Sequence, residues 1–268
     1  MKGVVLAGGT GSRLFPLTRV TNKHLLPIYD QPMVFYPIQT LANAGIRDIL
    51  LVTGGHSAGD FLRLLGNGKD FDLRHLSYAY QEGEGGIADA LRLAEHFAEG
   101  HSICVVLGDN ILETNIIRGC QDFERTGRGA HIFLKEVPNP ERFGVPVFDG
   151  DRIVRIEEKP KQPKSHFAVT GFYIYDATVF EKIRTLKPSG RGELEITDLN
   201  NHYIGEGLMR HSVLDGWWTD AGTFESLLLA NNLVAKGGAN KVEAGKTAAK
   251  SQMQKVTEKP EGKRSGKR

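Results

Sequence analysis

The sequence predicts an α/β fold, a mixed but mostly parallel sheet flanked by helices, and three observations lead there. Short β-branched runs alternate with helix-period segments throughout residues 1–235. The first apolar run, residues 4–7, stops at a glycine-rich turn, as a buried strand of such a sheet does. The chain of 268 residues is 40% hydrophobic and 25% charged, which suits a soluble globular body and argues against global disorder.

The elements follow in order. Residues 2–7 read as a buried first strand, and 31–44 as a helix opened near Pro32 with Val34, Ile38, Leu41 and Ala42 on one face. A second strand is expected at 48–53, a short helix at 58–65 and a third strand at 74–80. A helix at 86–97, with Ile87, Leu91 and Ala94 inward, leads to a strongly apolar strand at 102–107. From Ala130 the strand-like pieces crowd together, at 130–136, 144–148, 152–157 and 168–175. Gly150 between Asp149 and Asp151 marks a hairpin turn. Helices at 177–184 and 195–206, a strand at 208–214 and a last helix at 224–235 complete the body. No internal repeat is visible. One domain is expected, its first half shaped to bind a nucleotide and its second half adding a substrate-binding lobe.

Charge divides the chain at the end of that body. The net charge is only +2, yet residues 236–268 carry ten Lys or Arg against three acids. That tail is therefore +7 and residues 1–235 are −5. The tail holds too few large apolar side chains to bury a core, so it reads as a basic, disordered, solvated segment. An acidic body argues against a nucleic-acid surface. No apolar run approaches the ~18 residues of a membrane span, and the N-terminus has no signal-peptide pattern. Two cysteines, Cys104 and Cys120, support neither a disulfide framework nor a zinc site. A reduced, cytoplasmic enzyme without membrane or nucleic-acid partners is the expectation.

The most informative segment is Leu6-Ala7-Gly8-Gly9-Thr10-Gly11-Ser12-Arg13-Leu14. Three glycines in four positions after a strand let backbone N–H groups approach a phosphate, and Arg13 adds a planar fork. No Gly-Lys-Ser/Thr follows, so this is not a P-loop, and the third glycine of the dinucleotide fingerprint is missing. After Thr53 the chain reads Gly54-Gly55-His56 instead of offering an acid for a ribose, which further disfavours a nicotinamide enzyme. Lys23-His24-Leu25-Leu26-Pro27 follows the loop. Leu107-Gly108-Asp109-Asn110 places a carboxylate at the end of a buried strand, suited to Mg²⁺ or to a helix cap. Glu157-Glu158-Lys159-Pro160, Arg191-Gly192-Glu193-Leu194-Glu195-Ile196-Thr197-Asp198 and Trp217-Trp218-Thr219-Asp220-Ala221-Gly222-Thr223 come later. Taken singly, each reads as a solvated charge run or a packed aromatic pair.

Taken in this order, the motifs resemble the sugar-1-phosphate nucleotidyltransferases, and the likeness covers nearly all of residues 1–235. It implies their nucleotide-diphospho-sugar transferase fold, which is Rossmann-like. It also implies Mg²⁺ dependence and transfer of a nucleoside monophosphate to a sugar 1-phosphate with release of pyrophosphate. Among the family's branches the motif set is nearest the one that joins dTTP to glucose 1-phosphate, giving dTDP-glucose for deoxysugar synthesis. By the same resemblance Leu6, Gly8, Gly9, Thr10, Gly11 and Arg13 form the nucleotide loop, with Lys23 as its second cation. Gln81 reads the pyrimidine edge and Gly86 meets the same base through its backbone. Asp109 contacts the nucleotide and, with Asp220, holds the metal. Gly144, Glu158, Val169, Thr170, Gly171 and Trp218 border the sugar, while Lys159 and Arg191 grip its phosphate. Arg13, Lys23, Lys159 and Asp109 are the catalytic set.

Elementary chemistry agrees with these roles. A sugar phosphate is already an anionic nucleophile at neutral pH, so no general base is required. The obstacle is bringing two polyanions together and stabilising the leaving pyrophosphate, which calls for positioning and positive charge. Three departures stand out. His24 occupies a position where relatives usually have glutamine, bearing on the choice between dTTP and UTP. Phe143 replaces a tyrosine beside the sugar. Where the family's bacterial tetramers add C-terminal helices linked to regulation, residues 236–268 are lysine-rich, which leaves the homo-oligomer open. A UTP-using uridylyltransferase and a non-catalytic nucleotide-sugar sensor are the competing readings.

Overall fold

A computed structural model describes residues 1–242, with only the backbone of His56. Val4, Val5, Leu6 and Ala7 are all buried, because strand β1 (Lys2–Ala7) has a hydrogen-bonded neighbour on each side and helices over both faces. A two-residue ribbon, β2 (Pro27–Ile28) with β3 (Gln31–Pro32), then leads to helix α1 (Phe35–Asn43) and strand β4 (Asp48–Gly54). Next come α2 (Ala58–Leu65), β5 (His75–Gln81), α3 (Ile87–Arg92), α4 (Glu95–Ala98) and β6 (Ile103–Leu107). After β7 (Asn110–Leu112), α5 (Ile117–Thr126) and β8 (Ala130–Glu136), the second half adds β9 (Gly144–Asp149), β10 (Arg152–Glu158) and β11 (Phe167–Tyr175). The chain finishes with α6 (Val179–Thr185), α7 (Ile196–Gly205), β12 (Met209–Val213), β13 (Trp218–Asp220) and α8 (Phe224–Gly237).

Seven strands form the central sheet in the order β12-β8-β11-β6-β1-β4-β5. The pairs from β6 to β5 are parallel, β11 runs antiparallel to both β6 and β8, and β12 lies parallel to β8. Strand alternation sorts the apolar side chains into two cores. Val5 and Ala7 pack with Ile38, Phe61 and Phe123 on one face, and Val4 and Leu6 with Leu91, Leu199 and Tyr203 on the other. A third, smaller core of Ile28, Met33, Tyr36, Ile111, Ala230 and Val234 seats α8 against the ribbon. Helix α8 begins with a reciprocal cap between Thr223 and Ser226.

The expected order of elements is present, and the differences have local causes. The helix expected from residue 31 begins only at Phe35, because Gln31 and Pro32 pair with Ile28 and Pro27 across a turn in which Tyr29 is left-handed. The helix expected over 86–97 tightens where Leu93 and Ala94 bond three residues back, and it divides into α3 and α4. Gly150 does make the β9–β10 hairpin, at φ 58°. Strands β7 and β13 were not anticipated. They pair antiparallel with Asp220 opposite Asn110, so a chain segment more than a hundred residues downstream lies beside Asp109.

The basic tail was expected from residue 236, but α8 continues to Gly237 and the chain stays attached beyond it. Asn240 donates to the Tyr36 carbonyl and accepts from Thr40, and Lys241 pairs with Glu113 at 2.7 Å. The rest of the expected tail, residues 243–268, lies outside the described residues.

Helix α5 rests on the sheet through Gly119, where an added Cβ would stand 2.4 Å from the buried ring of Phe133. Gly119→Ala is expected to lower stability by about 1–3 kcal/mol through overpacking, read as a lower urea midpoint with an unchanged slope.

Candidate active site

Parallel strands β1, β4, β5 and β6 end on the same edge of the sheet. Chain order reverses across β1, with β4 and β5 on one side and β6 on the other, so the crevice lies at the switch point of the sheet. A cavity of about 490 Å³ opens there. Leu6, Gly8, Gly9, Thr10, Gly11, Arg13, Lys23, Gln81, Gly86 and Asp109 line its first half. Gly144, Glu158, Lys159, Val169, Gly171, Trp218 and Asp220 line the other.

Loop 8–14 is shaped by its glycines and anchored by Leu14, which is fully buried. Gly11 is left-handed at φ 68°, and a Cβ there would meet Thr18 at 2.8 Å. A Cβ on Gly8 would stand 2.8 Å from Oε1 of Gln81, so the loop backbone passes close against that side chain. Gln81 is held at the end of β5 by donating to Asp89 at 3.2 Å.

Charge is concentrated where β6 ends. Lys23 Nζ lies 2.5 Å from Oδ2 of Asp109, with both side chains largely buried. Burial alone would raise the Asp109 carboxyl. The Lys23 ammonium and the Asn110 amide outweigh it and hold the group well below the usual carboxylate range. Asp220 goes the other way, raised first by burial and then by the neighbouring charge of Asp109. His24 is pushed down to about 3 by burial and by Lys23, against the pull of Asp109. It is neutral at pH 7, with Nδ1 2.7 Å from Oδ1 of Asn22; Asn22 Oδ1 accepts there, so Nδ1 carries the proton.

Gly222 keeps the centre of this cluster open. A Cβ there would stand 2.9 Å from Arg13 Nη2, 3.3 Å from Asp220 Oδ2 and 3.5 Å from Asp109 Oδ2. Two carboxylate oxygens and a guanidinium therefore converge on space that any side chain would fill. No group of three or more His, Cys, Asp or Glu suited to a metal occurs among the described residues. Two carboxylates with room for phosphate oxygens and water fit Mg²⁺, which seldom takes an all-protein cage.

The other half of the cavity is built from β9, β10, β11 and α7. Glu158 Oε2 accepts from the Thr197 hydroxyl at 2.6 Å. Lys159 follows in a left-handed conformation, φ 44°, its N–H donating to the Phe143 carbonyl at 3.0 Å. Such a backbone is costly for a side-chain-bearing residue and is held here by its surroundings. Trp218 lies edge-on to Phe143 at 5.3 Å, and its indole N–H donates to Asn110 Oδ1 at 2.8 Å.

Two expected residues do not reach the cavity. Thr170 sits between Val169 and Gly171 on β11 and faces the opposite side of the sheet, its hydroxyl donating to the Phe133 carbonyl at 2.7 Å. Arg191 is half-exposed outside the lining, bonded to Glu195 at 2.9 and 3.0 Å, with Glu158 at 3.9 Å. Conversely, Asn110, Arg142, Tyr173, Thr197, Asn200 and Gly222 line the cavity without having been expected there. Asn110, Thr197 and Gly222 fall inside motifs noted in the sequence. Arg142, Tyr173 and Asn200 carry no such local signal.

Comparison with known proteins agrees with this geometry. Residues 2–237 match the nucleotidyl transferase family, and the chain belongs to that family. It is 47% identical over 238 residues to a glucose-1-phosphate thymidylyltransferase of Neisseria meningitidis, an alignment covering 87% of this chain and 82% of the relative. The enzyme of the same name from Mycolicibacterium smegmatis is 47% identical over 242 residues, with the same coverage. Among solved structures, a Bacillus anthracis protein assigned as a glucose-1-phosphate thymidylyltransferase, in complex with sucrose, is 49% identical. It superposes with a TM-score of 0.84 over 87% of this chain and 94% of that one. A UDP-glucose pyrophosphorylase at 23% identity shares the fold, with a TM-score of 0.78.

The neutral state of His24 predicts an acid dependence. Its folded pKa of about 3 lies below the 6.5 of the unfolded chain, so its contribution is complete above pH 6.5 and is lost as pH falls toward 3. Between pH 6.5 and 5 the native protein should lose about 2 kcal/mol more stability than His24→Gln, measured by urea unfolding at each pH.

Proposed function

We propose that this chain transfers the dTMP unit of dTTP to glucose 1-phosphate, forming dTDP-glucose and releasing pyrophosphate. The observation that carries this reading is the open space beside Gly222, on which Asp109, Asp220 and Arg13 converge between the two halves of one cavity. The names of relatives at 43–47% identity supply the substrate pair.

In the proposed reaction a phosphate oxygen of the sugar phosphate attacks the α-phosphorus, and the bond to the β,γ-pyrophosphate breaks. Loop 8–14 offers N–H groups to the triphosphate, and Arg13 and Lys23 neutralise the leaving side. Lys159 meets the incoming phosphate, with Arg191 able to join it by exchanging Glu195 for a phosphate oxygen. Asp109 and Asp220 would hold Mg²⁺, which supplies charge neutralisation at the reacting phosphates. Gln81 and Gly86 are assigned to the base, and Gly144, Glu158, Val169, Gly171 and Trp218 to the sugar. Two buried free thiols, Cys104 and Cys120, fit a reducing cytoplasmic setting. No helix among the described residues is long and apolar enough to cross a membrane.

The reading is tested by pyrophosphate release from dTTP, UTP, GTP and ATP, each crossed with several sugar 1-phosphates. The highest kcat/KM is expected with dTTP and glucose 1-phosphate. Preference for a purine nucleotide, or no turnover with any pair, would overturn it. Lys159→Ala should raise KM for glucose 1-phosphate and lower kcat/KM by roughly 10- to 150-fold while leaving KM for dTTP nearly unchanged. Gly222→Ala tests the metal assignment by placing a methyl group between the carboxylates. It should raise the Mg²⁺ concentration needed for half-maximal rate, and a normal Mg²⁺ titration would remove that space from the metal site.

A further inference from the structure

Three buried side-chain atoms lack a hydrogen-bond partner among the described residues: Thr53 Oγ1, His131 Nδ1 and Asn200 Nδ2. Of these residues only Asn200 lines the cavity. It is 1% exposed, and its Oδ1 accepts from the Tyr175 hydroxyl at 2.7 Å. Turning the amide over would let Nδ2 donate to the phenol oxygen but leave the phenol proton and Oδ1 without partners, so the arrangement in which only the Nδ2 amide group is spare is the better satisfied.

Asn200 shares a face of α7 with Ile196 and Thr197, and all three line the cavity. The Thr197 hydroxyl is committed to Glu158. Across from α7, Ile87 and Ala90 of α3 contribute apolar wall. Asn200 therefore borders a stretch of the site to which α7 contributes no cation. Phosphates are served elsewhere by Arg13, Lys23 and Lys159, so the matching acceptor is a neutral oxygen. A donor left unpaired in a buried site is costly, and native structures satisfy nearly all such groups.

We infer that Asn200 is a specificity-determining residue of the sugar half, its Nδ2 donating to one hydroxyl oxygen of the bound sugar phosphate. This rests on the sugar-phosphate reading above and adds to it the residue that recognises the hydroxyl. A site built around such a donor rejects the analogue that lacks the oxygen, because the donor is then left unpaired.

The test measures kcat/KM with dTTP for glucose 1-phosphate and for its 2-, 3-, 4- and 6-deoxy analogues. Native enzyme, Asn200→Ala, Tyr175→Phe and the double variant Asn200→Leu with Tyr175→Phe are compared. The double variant removes both members of the buried pair, which leaves no orphan and guards against failure to fold. Native enzyme should discriminate against one deoxy analogue by roughly 5- to 150-fold. That ratio should fall toward 1 in both Asn200 variants and persist in Tyr175→Phe, with KM for dTTP little changed. A purely structural role scales all sugars alike and leaves the ratio unmoved. An unmoved ratio in the Asn200 variants, or equal use of all four deoxy sugars by native enzyme, overturns the inference. Absence of native turnover with glucose 1-phosphate would instead refute the function proposed above.

Discussion

Two carboxylates that repel each other are held within one small space, and much of the structure around them answers that constraint. Asp109 ends the buried strand β6, and Asp220 is carried alongside by the three-residue pair of β7 and β13. Their charges are managed unequally. Lys23 sits against Asp109 and keeps it ionised, whereas Asp220, buried beside that charge, is raised. A cation held between the two carboxylates would relieve a cost that the fold already carries. Gly222 contributes by having no side chain.

The sheet explains why this cluster faces both halves of the cavity. Parallel strands bring the glycine loop, Gly54, Gln81 and Asp109 to one edge, and antiparallel β11 inserts beside β6 to bring Val169 and Gly171 to the same place. Asn110 ties the two sides together. Its Oδ1 accepts from the Gly171 N–H and the Trp218 indole, while its Nδ2 donates to Asp109. A Cβ on Gly171 would collide with that amide at 2.5 Å, so the small residue and the buried amide require each other. These contacts fix the position of the groups around the crevice, which suits a reaction that depends on positioning and charge.

Arg191 and Lys159 are both engaged by carboxylates in this structure. Arg191 is occupied by Glu195, with Glu193 at 3.6 Å and Glu158 at 3.9 Å nearby. Lys159 keeps a left-handed backbone and lies 3.4 Å from Glu158. The Lys159–Glu158 contact is long and half-exposed and so is weak, whereas Arg191 meets both carboxylate oxygens of a largely buried Glu195 and is the more firmly held of the two.

Local pattern in the sequence determined most of the fold. Strand and helix periods located the central strands and most helices, because the same apolar spacing that reveals an element also buries it. Strand-end glycines and carboxylates marked the crevice for a similar reason, since backbone approach and ligand charge demand those residue types wherever the chain goes. Tertiary structure alone decided the rest. The β7–β13 pair joins Leu112 to Trp218, and no local period encodes a contact between short segments so far apart. Pairing on the sheet turned Thr170 away from the cavity while its neighbours Val169 and Gly171 faced it. The spare donor of Asn200 exists only because Tyr175, brought over on β11, takes the other end of its amide. Each of these depends on which groups meet across the packed interior, and that is settled by long-range pairing and burial.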